Sequence, residues 1–308
     1  MTEKKVLVTV ITPTYNRADY LDETIQSVLM QDHPNLEYIV LDDGSKDNTN
    51  EILEKYGDQI TWDRHPNMGE TRTVNKGFSM SNGEIICVVN SDDPLLPGAV
   101  SAAVAVFQKS PDTLLVYPDW NEIGPNSEFI QRISLPDYNV FNMLTDFSVG
   151  MGPGVFFRRW AVEKLGARDI EFRYAGDLEF WFRLALHGQF LHIPEALATH
   201  RVHPASASVS DQGKQMADEI VKMVNKIIAN PNFPSELKLT QNKLYSRVHH
   251  SATLYCGSDI MALIKHIFLS FWFSPRDFFN RFFKYLPGAL RKRIAGIRKK
   301  LFTSMKLG

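Results

Sequence analysis

The sequence predicts an α/β protein: a mostly parallel sheet flanked by helices, with a helical C-terminal extension. Three observations predict it. Apolar, β-branched runs alternate with helix-period patterns from Val6 to Tyr117, the signature of strand–helix–strand units. Acidic and Gly/Asn-containing segments fall just after the strand-like runs, where such sheets bind ligands. From Asp211 onward only helical patterns occur.

Taken in order, Val6–Thr12 reads as a buried strand, and Ala18–Gln31 as a helix with apolar positions at Tyr20/Leu21, Ile25 and Val28/Leu29. Leu36–Leu41 is the next strand and runs into Asp42-Asp43-Gly44-Ser45, after which Asp47 caps a helix reaching about Tyr56. Ile60–Arg64 and Ile85–Val89 read as strands, Thr71–Met80 and Gly98–Gln108 as helices, and Leu114–Tyr117 as a further strand. Between 120 and 210 the pattern loosens. A short strand at Val155–Phe157 precedes a helix from Arg159 to about Gly166, Asp177–His187 is strongly helical, and Phe190–Ile193 and Leu197–Val202 are extended. These readings divide the chain into a catalytic domain at 1–210 (halves 1–118 and 119–210) and an extension at 211–308.

The 308 residues, 44% hydrophobic and 22% charged, suit a globular protein with a real core and exclude disordered and collagen-like classes. Two cysteines, Cys87 and Cys256, make neither a disulfide framework nor a metal-binding spacing and fit a reducing cytoplasm. The N-terminal residues lack the apolar core of a signal peptide. The longest apolar stretch, Ile260–Phe273, is interrupted by Lys265 and His266 and is too short to span a bilayer. The net charge of −1 conceals an asymmetry: residues 281–308 hold nine Lys/Arg and no acid, leaving 25 basic against 35 acidic side chains before them.

Four segments can carry chemistry. Asn90-Ser91-Asp92-Asp93 follows a buried strand; adjacent carboxylates there fit either a helix-capping turn or a divalent cation holding phosphate oxygens. Asp42-Asp43-Gly44-Ser45 fits an ordinary βα turn or a carboxylate that accepts from a base or ribose. Asp177 opens its helix as an N-cap or as a general base, with Glu179 turned to another face. Arg201 and His203 lie on one side of an extended segment, as surface residues or as a cation and imidazole for a diphosphate or metal.

In combination these segments resemble the family 2 inverting glycosyltransferases of GT-A fold. The resemblance rests on Val8–Arg17 (Val-Thr-Val-Ile-Thr-Pro-Thr-Tyr-Asn-Arg), Ile39–Ser45 with Asp47 and Thr49, Asn67-x-Gly69-x5-Asn75-x-Gly77, Val89–Asp93 with Pro97, Gly176-Asp177 and Arg201-x-His203, and covers residues 6 to 208. It implies that Pro13, Tyr15 and Asp43 contact the nucleotide base and ribose, that Asp42 supports their turn, and that Asn75 belongs to the donor-binding set. Asn90-Ser91-Asp92 stands in place of the family's Asp-x-Asp motif, with Asp92 a ligand of Mn²⁺ or Mg²⁺ and Asp93 beside it. Asp177 falls at the catalytic base, although the acid that usually precedes it is Gly176 here. Arg201 and His203 fall near the diphosphate and metal. The implied activity is transfer of a sugar from a nucleotide-diphosphate donor to a saccharide or lipid-linked saccharide acceptor, in cell-surface polysaccharide or glycolipid synthesis. The competing readings are a catalytically inactive sugar-binding module of the same fold and a nucleotidyltransferase. The latter lacks its expected Gly-rich phosphate loop, since the first turn reads Thr12-Pro13-Thr14-Tyr15-Asn16.

Leu290, Ile294, Ile297, Leu301 and Met305 trace one helical stripe amid basic residues, with Phe268, Phe271–Phe273, Phe278–Phe279 and Phe282–Phe283 upstream. This pattern predicts an interfacial anchor on an anionic membrane, placing the protein on the inner face of the cytoplasmic membrane, rather than a helical appendage packed on the domain. The acidic body argues against a nucleic-acid partner.

Overall fold

The structure, a computed structural model, describes residues 6–148, 150–203, 213–256 and 259–285. The stripe expected at 290–305 and the segment after His203 lie outside the described residues.

An eight-stranded sheet forms the centre. Strands β1 (Val8–Thr14), β2 (Leu36–Asp42), β3 (Thr61–Arg64) and β4 (Ile85–Val88) pair in parallel in the order β3-β2-β1-β4. Every residue of β1 is buried, as a strand covered by helices on both faces must be. Helices α1 (Ala18–Leu29), α2 (Thr49–Tyr56), α3 (Glu70–Met80) and α4 (Ala99–Lys109) provide the cover, α3 burying Val74 and Phe78 and α4 burying Val100, Ala103, Val104 and Phe107.

Beyond β4 the sheet departs from the parallel pattern. β7 (Phe156–Arg158) inserts antiparallel between β4 and β5 (Thr113–Ile123), and β6 (Phe129–Ile133) returns antiparallel on β5. Local periodicity does not report pairing direction, so the sequence could not foretell this reversal. β5 runs six residues past its expected end. The two extended segments expected near 190 and 200 are one strand, β8 (Gln189–Arg201), parallel to β5 with register shifts around Pro118–Trp120. Those irregularities bend the strand and break the alternation that would have revealed it.

Three short helices, α5 (Val140–Asp146), α6 (Trp160–Leu165) and α7 (Gly176–Ala185), complete this part. The described residues from 213 form α8 (Gly213–Ile228), α9 (Gln241–Ala252), α10 (Ile260–Phe273) and α11 (Pro275–Tyr285), with 3₁₀ segments at Ser235–Thr240 and Thr253–Tyr255. The apolar core is continuous into this region: Ile220, Met223, Val224 and Val248 join Phe157, Phe180 and Phe182 in one cluster.

Candidate active site

The turns at the carboxyl ends of β1, β2 and β4 are tied together by their own side chains. Asp47 accepts from Ala18 N at 2.9 Å and from Thr49 N at 3.2 Å, so one carboxylate serves the first turns of both α1 and α2. Asn16, at φ 51°, accepts through Oδ1 from Lys46 N, and its own N–H donates to Ser45 Oγ. Asp42 is fully buried and accepts from Ser45 N at 2.9 Å, with the Arg64 guanidinium 3.3 Å from its other oxygen. Gly44 turns the chain at φ +78° where a Cβ would lie 2.8 Å from Asn67 N, so both conformation and space require glycine. Asp43 takes three hydrogen bonds from the facing loop: from Met68 N (2.7 Å), Gly69 N (2.9 Å) and Asn67 Nδ2 (3.1 Å).

Together these turns wall a cleft of about 470 Å³. Of the residues singled out in the sequence, Pro13, Tyr15, Asp43, Asn90, Ser91, Asp92, Asp93 and Arg201 line it. Tyr15 is 42% exposed, an open aromatic face at the rim.

Asp92 is the meeting point. His203 Nε2 lies 3.0 Å and Arg17 Nε 3.3 Å from its Oδ2. Asp93 beside it is buried, accepting from the Arg201 N–H at 2.8 Å and from Asn90 Nδ2 at 3.0 Å. Burial, then the charge of Asp92, raises the Asp93 carboxyl above the ordinary range, while Arg201 and Asn90 oppose the rise. Among the described residues no three His, Cys, Asp or Glu side chains converge as a metal cage. One carboxylate and one imidazole side by side still suit a divalent ion that takes its remaining ligands from a diphosphate and water.

Arg201 sits differently from expectation. Its side chain is fully buried, donating to Asp92 O (3.0 Å), Gly124 O (3.1 Å), Ser127 Oγ (3.0 Å) and Glu23 Oε2 (2.6 Å), and its guanidinium lies over the Tyr20 ring. It braces the Asp92–Asp93 turn from beneath. Asn75 is not at the cleft. Its amide grips the Arg168 backbone from both sides, accepting from Arg168 N at 2.9 Å and donating to Arg168 O at 2.8 Å.

Asp177 is exposed in the first turn of α7, whose N-cap residue is Ala175, and accepts from Leu178 N at 2.7 Å. It does not line the cleft itself, but its charge reaches Glu70, which does. Desolvation at the cleft wall raises the Glu70 carboxyl, although its side chain is still half exposed; the Arg168 guanidinium at 3.0 Å opposes this, and Asp177 and Asp92 add to the rise. Carboxylates from three elements therefore share one electrostatic neighbourhood. Glu179 faces away, buried against Arg183, as its helical offset requires.

Glu70, Arg173, Tyr174 and His200 also line the cleft and were not anticipated. Arg173 and Tyr174 immediately precede α7, in a loop without periodicity. The nearest signal was their adjacency to Gly176-Asp177.

A twisted α/β sheet with an acidic cleft at the ends of β1, β2 and β4 and a carboxylate on a later helix defines the GT-A class. The sequence profile of "Glycosyl transferase family 2" matches residues 9–166, and the chain belongs to that family. It is 30% identical over 214 residues to the uncharacterized glycosyltransferase RT0329 of Rickettsia typhi, an alignment spanning 66% of either chain. It is 25% identical over 247 residues to the chondroitin synthase of Pasteurella multocida, covering 78% of this chain and 25% of that protein. Among solved structures it is similar to residues 1–349 of S. aureus TarS in complex with UDP-GlcNAc, with TM-score 0.68, 18% identity, and 88% and 82% of the two chains covered. It is also similar to the mannosyltransferase PcManGT of Pyrobaculum calidifontis in complex with GDP-Man and Mn²⁺, with TM-score 0.59, 19% identity, and 87% and 74% covered. These two likenesses establish the shared fold.

Proposed function

We propose that this glycosyltransferase is an inverting enzyme that moves a sugar from a nucleotide-diphosphate donor to an acceptor hydroxyl. Residues 1–210 act as the catalytic domain, with a donor half at 1–118 and an acceptor half at 119–210, and 211–308 as a helical extension. The observation that carries the reading is the Asp92–His203 pair, with Asp92 lining the cleft and the charges of Asp92 and Asp177 both acting on Glu70.

Pro13 and Tyr15 flank the base, Asp43 receives the base or ribose, and Asp42 holds the turn. Asn90 and Ser91 shape the turn that presents Asp92. Arg201 and Asn75 act as positioning residues, the first beneath Asp92, the second on the loop that leads to Asp177. Asp92 and His203 would hold a divalent ion, Mn²⁺ or Mg²⁺, which when bound supplies Lewis-acid stabilisation of the leaving diphosphate. That assignment is supported by the donor set and by the Mn²⁺ in the PcManGT complex. Asp177 takes the acceptor hydroxyl's proton while that oxygen bonds the anomeric carbon. The bond from this carbon to the phosphate oxygen breaks, and its electron pair leaves with the nucleotide diphosphate. One displacement inverts the configuration and needs no second nucleophile. General-base assistance of this kind contributes about 10²–10⁴-fold.

The acceptor is a saccharide or lipid-linked saccharide of a cell-surface polymer or glycolipid, met at the inner face of the cytoplasmic membrane. Kinship with chondroitin synthase and the basic composition of 281–308 support this. The test is a panel of UDP-, GDP- and dTDP-sugars scored for hydrolysis with and without Mn²⁺. Metal-dependent release of one nucleoside diphosphate is expected. Tight sugar-nucleotide binding with no turnover of any donor would make the chain a binding module instead.

A further inference from the structure

Helix α10 is built inside out. Its buried positions include His266 and Ser270, each 1% exposed, whereas Ile260, Met261, Ile264, Phe268 and Trp272 are 55–76% exposed. The exposed residues recur at helical spacing, so they form one face, extended by the half-open Ile267 and Phe271 and by Phe279 of α11. The polar side chains of His266 and Ser270 point inward instead, while Lys265 is exposed. Ser246 Oγ donates to Ser270 O at 2.7 Å, Ser270 Oγ donates to Ser246 O at 2.8 Å, and the His249 and His266 Nδ1 atoms are 2.9 Å apart.

A helix that packs in water shows the opposite arrangement. Hydrogen-bonding side chains between helices and apolar ones outside is the pattern of packing in a lipid surround. Exposed apolar area of this extent marks an interaction surface. Its chemical setting favours an anionic bilayer as the occupant. Arg276 and Arg281 follow the face, and from 281 to 308 the chain has nine basic residues and no acid. Fourteen residues of helix are about 21 Å long, less than the roughly 30 Å apolar thickness of a bilayer. Among the described residues no helix is long and apolar enough to cross a membrane.

We propose that the outer face of α10, from Ile260 to Trp272, lies in the interfacial region of an anionic lipid bilayer and supplies the apolar part of membrane attachment. This rests on the membrane-surface reading above and assigns a defined apolar contact to the face of α10, beside the stripe expected at 290–305. Tyr255, between α9 and α10, packs on the apolar cluster that also holds Phe180 of α7, and its hydroxyl is raised by burial and then by the charge of Asp177.

The test uses the full chain and vesicles of phosphatidylcholine alone or mixed with phosphatidylglycerol. Ile264→Ser/Phe268→Ser/Trp272→Ser, all at exposed positions, should keep the thermal melt and donor hydrolysis and lower vesicle partitioning by about a hundredfold. Wild-type partitioning of this variant would overturn the proposal. So would a dimer in light scattering that the variant dissolves, with no vesicle binding by either protein; the face would then cover a second copy. Preference for phosphatidylglycerol reports the basic segment separately. If it vanishes while the variant still loses partitioning, the electrostatic reading fails and the α10 assignment stands.

Discussion

Gly176 meets Thr71 so closely that a Cβ on the glycine would lie 2.5 Å from the threonine hydroxyl. That hydroxyl donates to Phe172 O at 2.8 Å, stitching the loop before α7 to the first turn of α3. Position 176 therefore has no room for the acid that the family resemblance implies before the proposed base, Asp177, whereas the neighbouring Glu70 places a carboxyl in the cleft. Gly176→Ala should cost about 1–3 kcal/mol of stability through overpacking. Pairing it with Thr71→Ala should recover part of the loss. Thermal melts of the two single variants and the double variant check this, because strictly additive effects would mean the residues do not press on one another.

Asp177→Asn should slow transfer by about 10²–10⁴-fold while donor affinity stays near wild type, because the amide keeps the shape but cannot take a proton. Asp92→Ala and His203→Ala should each weaken donor binding in Mn²⁺ and leave metal-free binding little changed. Calorimetric titration with the nucleoside diphosphate, with and without Mn²⁺, separates these outcomes. Equal Mn²⁺ dependence in all three proteins would remove Asp92 and His203 from the metal site.

Arg201→Ala should act on stability before chemistry. It leaves the Asp92, Gly124 and Ser127 acceptors unpaired and a cavity under Tyr20, a loss of about 3–5 kcal/mol by analogy with broken buried charge networks. Glu23→Gln should cost far less, because that partner is half exposed and its amide oxygen still accepts. If Arg201→Ala melts like wild type yet fails to bind donor, Arg201 contacts the diphosphate after all.

What the sequence disclosed and what it hid follow from the range of the interactions. The strands and turns around Asp42, Asp43 and Asn90–Asp93 were legible because a strand run followed by Asp, Asn and Gly is a local pattern. The insertion of β7 between β4 and β5, the bulged length of β8 and the unexpected strand Phe129–Ile133 depend on distant pairing. Arg201 shows the limit at a single residue: the sequence flagged it as a cation beside His203. Only the fold reveals that Glu23, 178 positions away, and the Gly124–Ser127 turn occupy it. Glu70 and Arg173 are likewise ordinary charged residues until α3 and the loop before α7 are brought to one cleft.

The buried pair His249–His266 should make the helical extension acid-labile. With their Nδ1 atoms 2.9 Å apart, one ring donates and the other accepts, so the accepting ring must be neutral; a proton on its Nδ1 would set two donors face to face. Burial, then the neighbouring His266 and Lys265, pushes the His249 pKa down to about 4, and burial and Lys265 lower that of His266 against the pull of Asp218. In the unfolded chain both rings titrate near 6.5. The unfolded state thus binds more protons between about pH 6.5 and 4, so the stabilising contribution is complete above that window and is lost as pH falls through it. For His249 alone the loss approaches about 3 kcal/mol at the lower end. Amide exchange across α9 and α10 should accelerate at pH 5 relative to pH 7.5, beyond the intrinsic pH effect and more than in β1 or β2. A double replacement, His249→Gln/His266→Gln, should flatten that difference. Equal protection of the two regions at both pH values would mean the pair carries no such load.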